Sequence, residues 1–198
     1  TTLIINQADL RNARFSLINK VAERGNTPID FNNLHLSGIN GIIEDFSIRK
    51  DSTSFGIYNL SFRDSGGFTV RKMTSNVLLE NNNILFSSAS ISCDTSMLNV
   101  PRLELRPDST GSYANFIEDV RLDILLDNSL VCFSDLQHFV APVKGMDESL
   151  NISGRVYGTV AELRGRNIRM SYRDSSLLDC DFDLSGLPEI QNTFIHIG

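Results

Sequence analysis

Apolar and polar residues alternate in short runs along most of the chain, and clusters of Asn, Asp, Ser and Gly separate the runs. A period of two sends successive side chains to opposite faces of a strand. The clearest case is Leu178-Asp179-Cys180-Asp181-Phe182-Asp183-Leu184, apolar at every even position and aspartate at every odd one. Val120, Leu122, Ile124 and Leu126 alternate with Arg121 and Asp123 in the same way. Ile168, Met170 and Tyr172 do so with Arg169, and Arg173 follows on the polar side. One dry and one wet face is the pattern of an antiparallel sheet.

The pattern predicts strands at Leu3 to Ile5, Ala13 to Ile18, Phe31 to Leu36, Ile42 to Ile48, Phe55 to Arg63, Phe68 to Met73, Val77 to Glu80 and Ile84 to Ser88. Further strands are expected at Ser90 to Cys93, Met97 to Arg106, Phe116 to Leu126, Leu130 to Phe133, Leu150 to Val160, Leu163 to Tyr172, Ser176 to Leu184 and Thr193 to Ile197. Roughly fifteen strands make the fold class all-β. Pairs such as Phe46-x-Ile48, Val77-x-Leu79, Ile84-x-Phe86 and Leu103-x-Leu105 recur at similar spacing. They point to one elongated, curved, mainly antiparallel stack over residues 1–198 rather than a compact Greek key. One segment departs from the alternation: Ser134 precedes Asp135-Leu136-Gln137-His138-Phe139-Val140-Ala141, and Pro142 closes it. This is the signature of one short helix at 135–141.

Composition narrows the function. The 198 residues carry 18 basic and 24 acidic side chains, a net charge of −6, the wrong sign for wrapping nucleic acid through its phosphates. Hydrophobic residues at 41% exclude a disordered chain. No apolar run approaches the ~20 residues of a spanning helix. The chain opens on Thr-Thr, as expected of a mature segment or a piece of a longer protein. Cys93, Cys132 and Cys180 are odd in number, widely spaced and free of any C-x-x-C pair, so they read as small core fillers.

Candidate chemistry is sparse. Asp179, Asp181 and Asp183 open like a calcium loop, but Leu184 stands where glycine is needed and Ile190 where glutamate is needed, so a solvated strand face explains them better. His35, His138 and His196 have no metal-ligand spacing and no serine in a nucleophile motif beside them, and no phosphate loop occurs. Catalysis and cofactors are therefore not expected. Arg164, Arg166, Arg169 and Arg173 form the densest basic cluster, which reads as cross-strand ion pairs with neighbouring acids rather than as a lipid-headgroup site. Gly154 and Gly158 read as strand glycines.

Several segments resemble a known family. Leu150 to Arg164 reads LNISGRVYGTVAELR; Ile168 to Tyr172 and Leu178 to Phe194, with Gly186-Leu-Pro-Glu-Ile190, follow it. Asp135-Leu136, Phe139-Val140 and Lys144-Gly145 precede it, and Ile29 to Phe31, Leu34-x-Leu36, Leu60 to Phe62 and Ser65 to Phe68 repeat a similar rung upstream. Together they resemble the repeat region of the TamB, or AsmA-like translocation and assembly module, proteins of the Bacteroidetes type. Ile152 stands at a position where that family has Leu. The resemblance implies a periplasmic sheet folded lengthwise into an apolar trough, anchored in the inner membrane through an N-terminal helix. It also implies an outer-membrane β-barrel partner, phospholipid acyl chains as cargo and a role in outer-membrane assembly. On that reading this chain is an internal segment of a much larger protein.

The leading expectation is thus a non-catalytic, lipid-carrying trough lined by Val120, Leu122, Ile124, Leu126, Val156, Leu178, Cys180, Phe182 and Leu184. The alternative is a secreted structural β-solenoid or adhesin whose dry faces are a sealed core. An enzyme on a β-helix scaffold comes third, since no cluster of outward carboxylates marks it.

Overall fold

A computed structural model describes residues 2–18, 33–139, 143–173, 176–187 and 193–198. These form a single eleven-stranded antiparallel sheet in plain sequence order, whose first and last strands are its two edges. The strands are β1 (Thr2–Ile18), β2 (Asn33–Arg49), β3 (Ser52–Asp64), β4 (Thr69–Glu80), β5 (Asn83–Cys93), β6 (Met97–Pro107), β7 (Val120–Cys132), β8 (Ser149–Gly158), β9 (Glu162–Tyr172), β10 (Ser176–Ser185) and β11 (Phe194–Ile197). A 3₁₀ turn over Thr110–Asn115 runs into α1 (Phe116–Asp119) between β6 and β7, and α2 (Phe133–Leu136) follows β7. The all-β, open and curved sheet agrees with the expected fold class.

Two details of the expectation need correcting. Strands are fewer and longer: the runs expected at 3–5 and 13–18 merge into one strand, as do those at 31–36 and 42–48, at 68–73 and 77–80, at 84–88 and 90–93, and at 116–126 and 130–133. Short α-helices number two rather than one among the described residues. Phe116–Asp119, expected to open a strand, is helical, and α2 begins at Phe133, with Cys132 rather than Ser134 at its N-cap. Ile29 to Phe31, Val140 to Pro142, Asp174 and Pro188 to Ile190 lie outside the described residues.

The divided runs in β1, β5 and β7 part at a residue of positive φ in the middle of the strand, and β3 and β9 carry such a residue as well. Asn12, Asn59, Ser88, Asn128 and Asn167 have φ between +44° and +53°. Asparagine tolerates this left-handed conformation, and in a strand it produces a bulge that bends the ladder. At the bulge the apolar frame slips by one residue. Phe55 and Ile57 precede Asn59 and Leu60 and Phe62 follow it; Leu163 and Gly165 precede Asn167 and Ile168 and Met170 follow it.

The same bulges recruit partners from the next strand. The Asn12 backbone N–H donates to Asn40 Oδ1 at 2.9 Å, that of Asn128 to Ser153 Oγ at 2.8 Å, and that of Asn167 to Asp181 Oδ1 at 2.8 Å. Each polar side chain satisfies a donor that the bulged ladder leaves unpaired. Ser129 does this twice, accepting from Asn99 N–H at 2.9 Å and donating to Asn99 C=O at 3.0 Å, fully buried. Among the described residues no buried side-chain polar atom lacks a partner.

The bulges set the sheet's curvature, and burial follows it. Ile57, Val77, Ala89, Val100 and Ile168 are buried near the strand middles, although no second layer of secondary structure among the described residues covers the sheet. Strands that bend at their middles raise walls on either side, so mid-strand side chains are enclosed while those on the walls stay half-exposed. The whole chain exposes 12,237 Å², against about 9,300 Å² for a globular protein of this size.

Candidate functional site

Strand register assembles the apolar side chains into rows that cross the sheet. One row runs Leu3, Ile48, Thr53, Leu79, Ile84, Leu105, Leu122, Gly158, Leu163 and Leu184, each directly opposite the next across β1 to β10. The row beside it begins with Ile5 opposite Phe46, whose ring lies 5.9 Å from that of Phe55. It continues through Val77, Phe86, Leu103, Ile124, Val156, Gly165, Phe182 and Ile197, and so reaches β11. At a strand spacing of ~4.8 Å, ten intervals make a lane about 48 Å long. Gly165 does not open a gap: a side chain there would collide with the Phe182 ring, which lies over it.

The expected lining residues divide on this map. Leu122, Ile124, Val156, Phe182 and Leu184 belong to the two rows, and all are only partly buried. Leu126, opposite Gly154, lies next to the bulge on the same side as Ile124, whereas Cys180, opposite Ile168, and Leu178, opposite Met170, lie beyond the bulge line. Val120, two residues before Leu122 at the start of β7, is 0% exposed beside α1 and offers a ligand no surface. Sequence reasoning missed the contributions of β1 to β6. Their signal was the recurring apolar-x-apolar pairs, since Phe46 with Ile48, Val77 with Leu79, Ile84 with Phe86 and Leu103 with Leu105 each supply both rows.

The two helical insertions flank β7 and lie at opposite ends of the strands. The one carrying α1 reaches neighbouring turns on both sides, with Tyr113 Oη donating to Asn82 C=O at 2.9 Å and Ile117 C=O accepting from Ala161 N–H at 3.2 Å. At the other end α2 is tied to the β5–β6 turn through Asp135. Its Oδ2 accepts from Thr95 N–H at 3.0 Å, Thr95 Oγ1 at 2.9 Å and Ser96 N–H at 2.6 Å. Burial pushes the Asp135 carboxyl up, but these bonds outweigh it and hold the group below its ordinary value. Beyond α2, the Phe139 and His138 rings sit 4.9 Å and 6.0 Å from that of Phe68.

The opposite face is polar and largely ion-paired from β6 to β10. Arg155 grips Asp123 with two bonds of 2.8 Å, Arg166 donates to Asp183 at 2.7 Å and Arg169 to Asp179 at 2.9 Å. Arg173 reaches Glu148 at 3.2 Å. Glu104 accepts from Arg106 at 2.7 Å and from Arg102. The hydrogen bond from Arg155 holds the Asp123 carboxyl low, and that from Arg106 does the same for Glu104 against the effect of its burial. Asp179 and Asp183 of the calcium-like run thus face guanidinium groups, and Asp181 accepts the Asn167 N–H. Among the described residues no three His, Cys, Asp or Glu side chains gather in a way that could hold a metal ion. No helix there is long and apolar enough to cross a membrane.

Searches of family models, curated proteins and solved structures return no match to this chain.

Proposed function

We propose that this chain is a non-catalytic segment of an envelope-spanning protein whose apolar trough holds and passes phospholipid acyl chains. The observation that carries the reading is the pair of largely apolar rows crossing the sheet, with no second layer of secondary structure over them among the described residues. An acyl chain that half-spans a ~30 Å hydrocarbon core lies lengthwise within a lane of about 48 Å. Each methylene it buries contributes about 0.8 kcal/mol. Nothing in such a lane is stereospecific, which suits a carrier of mixed tails. The periplasmic setting, the inner-membrane anchor, the outer-membrane barrel partner and the role in outer-membrane assembly come from the TamB-like resemblance of the sequence.

The structural solenoid is the second reading, favoured by the burial of Ile57, Val77 and Ile168 at the strand middles. Native mass spectrometry with lipid analysis, on protein purified from bacterial periplasm without detergent, separates the two: bound phospholipid is expected for the trough, and a lipid-free chain supports the solenoid. Ile124→Asp puts an unpaired charge in the middle of the second row and is expected to abolish lipid loading while the sheet persists. A folded Ile124→Asp protein with a normal lipid load overturns the proposal.

A further inference from the structure

Register on the polar face sets like charges against each other at two successive positions. Glu104 stands directly opposite Asp123 across β6 and β7, and Arg106 stands directly opposite Arg121 one step nearer the strand ends. Opposed like charges are destabilising unless a group of the other sign lies with them. The acids have such groups: Glu104 accepts from Arg106 at 2.7 Å and from Arg102, and Asp123 accepts twice from Arg155 at 2.8 Å. The arginines are less well served. Arg121 is 67% exposed, and among the described contacts it reaches a carboxylate only at Asp108, 3.7 Å away and itself exposed. Both opposed arginines line one cavity of about 240 Å³, together with Asp108, Asp123, Arg155 and Tyr157. Arg155 is held there by its two bonds to Asp123 and by the Tyr157 ring, whose centre lies 5.3 Å from the guanidinium carbon. A guanidinium carries more N–H donors than these bonds use, so Arg106 and Arg155 keep donors to offer. In a chain of net charge −6, three guanidiniums around one cavity are a local arrangement and not a reflection of composition.

We infer that this end of the polar face binds an oxyanion of the phosphate class, seated between Arg106 and Arg121 with Arg155 beside it. A tetrahedral phosphoryl group presents oxygens to both opposed arginines at once and removes their repulsion, through charge-assisted hydrogen bonds that the planar guanidinium is shaped to make. Free phosphate and a phosphate-bearing lipid headgroup share this chemistry. The inference stands apart from the acyl-chain reading. Leu105 and Leu122, the strand neighbours of Arg106 and Arg121, belong to the apolar row, so the arginines lie on the reverse of the trough.

Calorimetric titration with inorganic phosphate at constant ionic strength tests it. The parent chain is expected to show one site, and Arg121→Gln to weaken it about tenfold. Arg71→Gln removes an equally exposed arginine three strands away, where it pairs with Asp94, and should leave the affinity unchanged. A merely structural role is read from urea unfolding. In phosphate-free buffer Arg121→Gln should raise the midpoint by relieving the opposed pair, and added phosphate should raise the midpoint of the parent but not of the variant. Flotation with vesicles of phosphatidylcholine and phosphatidic acid assigns the source: retention that Arg121→Gln abolishes identifies a headgroup, and phosphate binding without retention identifies the free ion. No binding of phosphate and no retention on the vesicles overturn the inference. An equal loss in Arg71→Gln also overturns it, because the anion is then answering to overall charge. Neither of these results touches the trough or its lipid-load test.

Discussion

The middles of the strands and their ends solve burial in opposite ways. At the middles, apolar side chains are enclosed because the backbone bends around them at Asn59, Ser88, Asn128 and Asn167, and polar side chains from adjacent strands secure several of the bulges. At the ends there is no bend to help, and among the described residues apolar side chains are buried where an insertion lies close, as Val120 is beside α1 and Val70 near α2. Elsewhere they stay open, up to 77% for Phe194. Shape in the middle is backbone-encoded, and cover at the ends is contact-encoded. Substitutions that attack one or the other should behave differently.

The largest effect is expected from breaking the bend itself. Gly154 has φ +136°, and a side chain there would meet the Asn167 carbonyl oxygen at 2.7 Å and Ile168 Cα at 2.9 Å. Both obstacles are backbone of the neighbouring strand, so neither yields without opening β8 from β9. Gly154→Val should cost more than about 3 kcal/mol and shift the urea midpoint accordingly. A variant of wild-type stability would show that the β8 bulge is not needed for the curve.

Next comes the rim. Asp135→Asn keeps the shape of the side chain but removes the charge that three donors share, an expected loss of about 2 kcal/mol in equilibrium unfolding. It also predicts a pH signature. Because the native carboxyl is held below its ordinary value, its contribution is complete above the unfolded-state pKa and is lost as the pH falls through the native one. The parent chain should therefore lose stability below about pH 4, and Asp135→Asn should show a shallower fall over that range. Identical pH profiles would remove Asp135 from the fastening.

How much of this was legible turns on the bulges. Alternation is strict from Val120 to Ile124 in β7, from Leu150 to Gly158 in β8 and from Leu178 to Leu184 in β10, and the row residues Leu122, Ile124, Val156, Phe182 and Leu184 could be read from it directly. In β5 the apolar frame passes from Ile84 and Phe86 to Ala89 and Ile91, and a one-residue slip looks like a strand end to any period-two reading. Asparagine strengthened the error, since it serves turns and bulges by the same left-handed conformation. A slip around one asparagine, with apolar pairs on both sides and no second turn residue, is the signal that distinguishes the two. The α1 insertion was hidden for another reason: Phe116 and Ile117 are apolar and lead straight into the alternation of β7. Row continuity across ten strands was beyond reach, because register depends on pairings between strands and no single strand contains it.

A smaller effect tests the bend from within a single residue. Asn128 sits at φ +44°, where a residue with a Cβ and no polar side chain is strained. Asn128→Ala should cost about 1 kcal/mol, whereas Asn128→Gly should be nearly neutral, since glycine adopts this φ freely and keeps the N–H that donates to Ser153. Thermal unfolding of the two variants reads the difference. If alanine and glycine behave alike, the conformation is imposed by the surrounding ladder rather than favoured by the residue.

The smallest effect belongs to the polar face, and its smallness is informative. Arg169 and Asp179 lie 2.9 Å apart with both side chains more than half exposed, so solvent screens their attraction and ordering the long arginine offsets much of the remainder. Arg169→Ala should unfold at the parent's midpoint within measurement error, and added salt should move neither. The pairing still has a consequence, because an arginine facing an aspartate directly across the ladder favours this register, whereas a one-residue slip would send the apolar side chains of β10 to the solvent. Charge reversal at both positions, Arg169→Asp with Asp179→Arg, should therefore preserve the fold and the lipid load. Reversal at Arg169 alone sets two acids opposite each other and should loosen β10 from β9, measurable as faster amide exchange confined to those strands. Faster exchange spread across the whole sheet would instead tie the polar face to global stability, and the contrast between backbone-encoded middles and contact-encoded ends would have to include it.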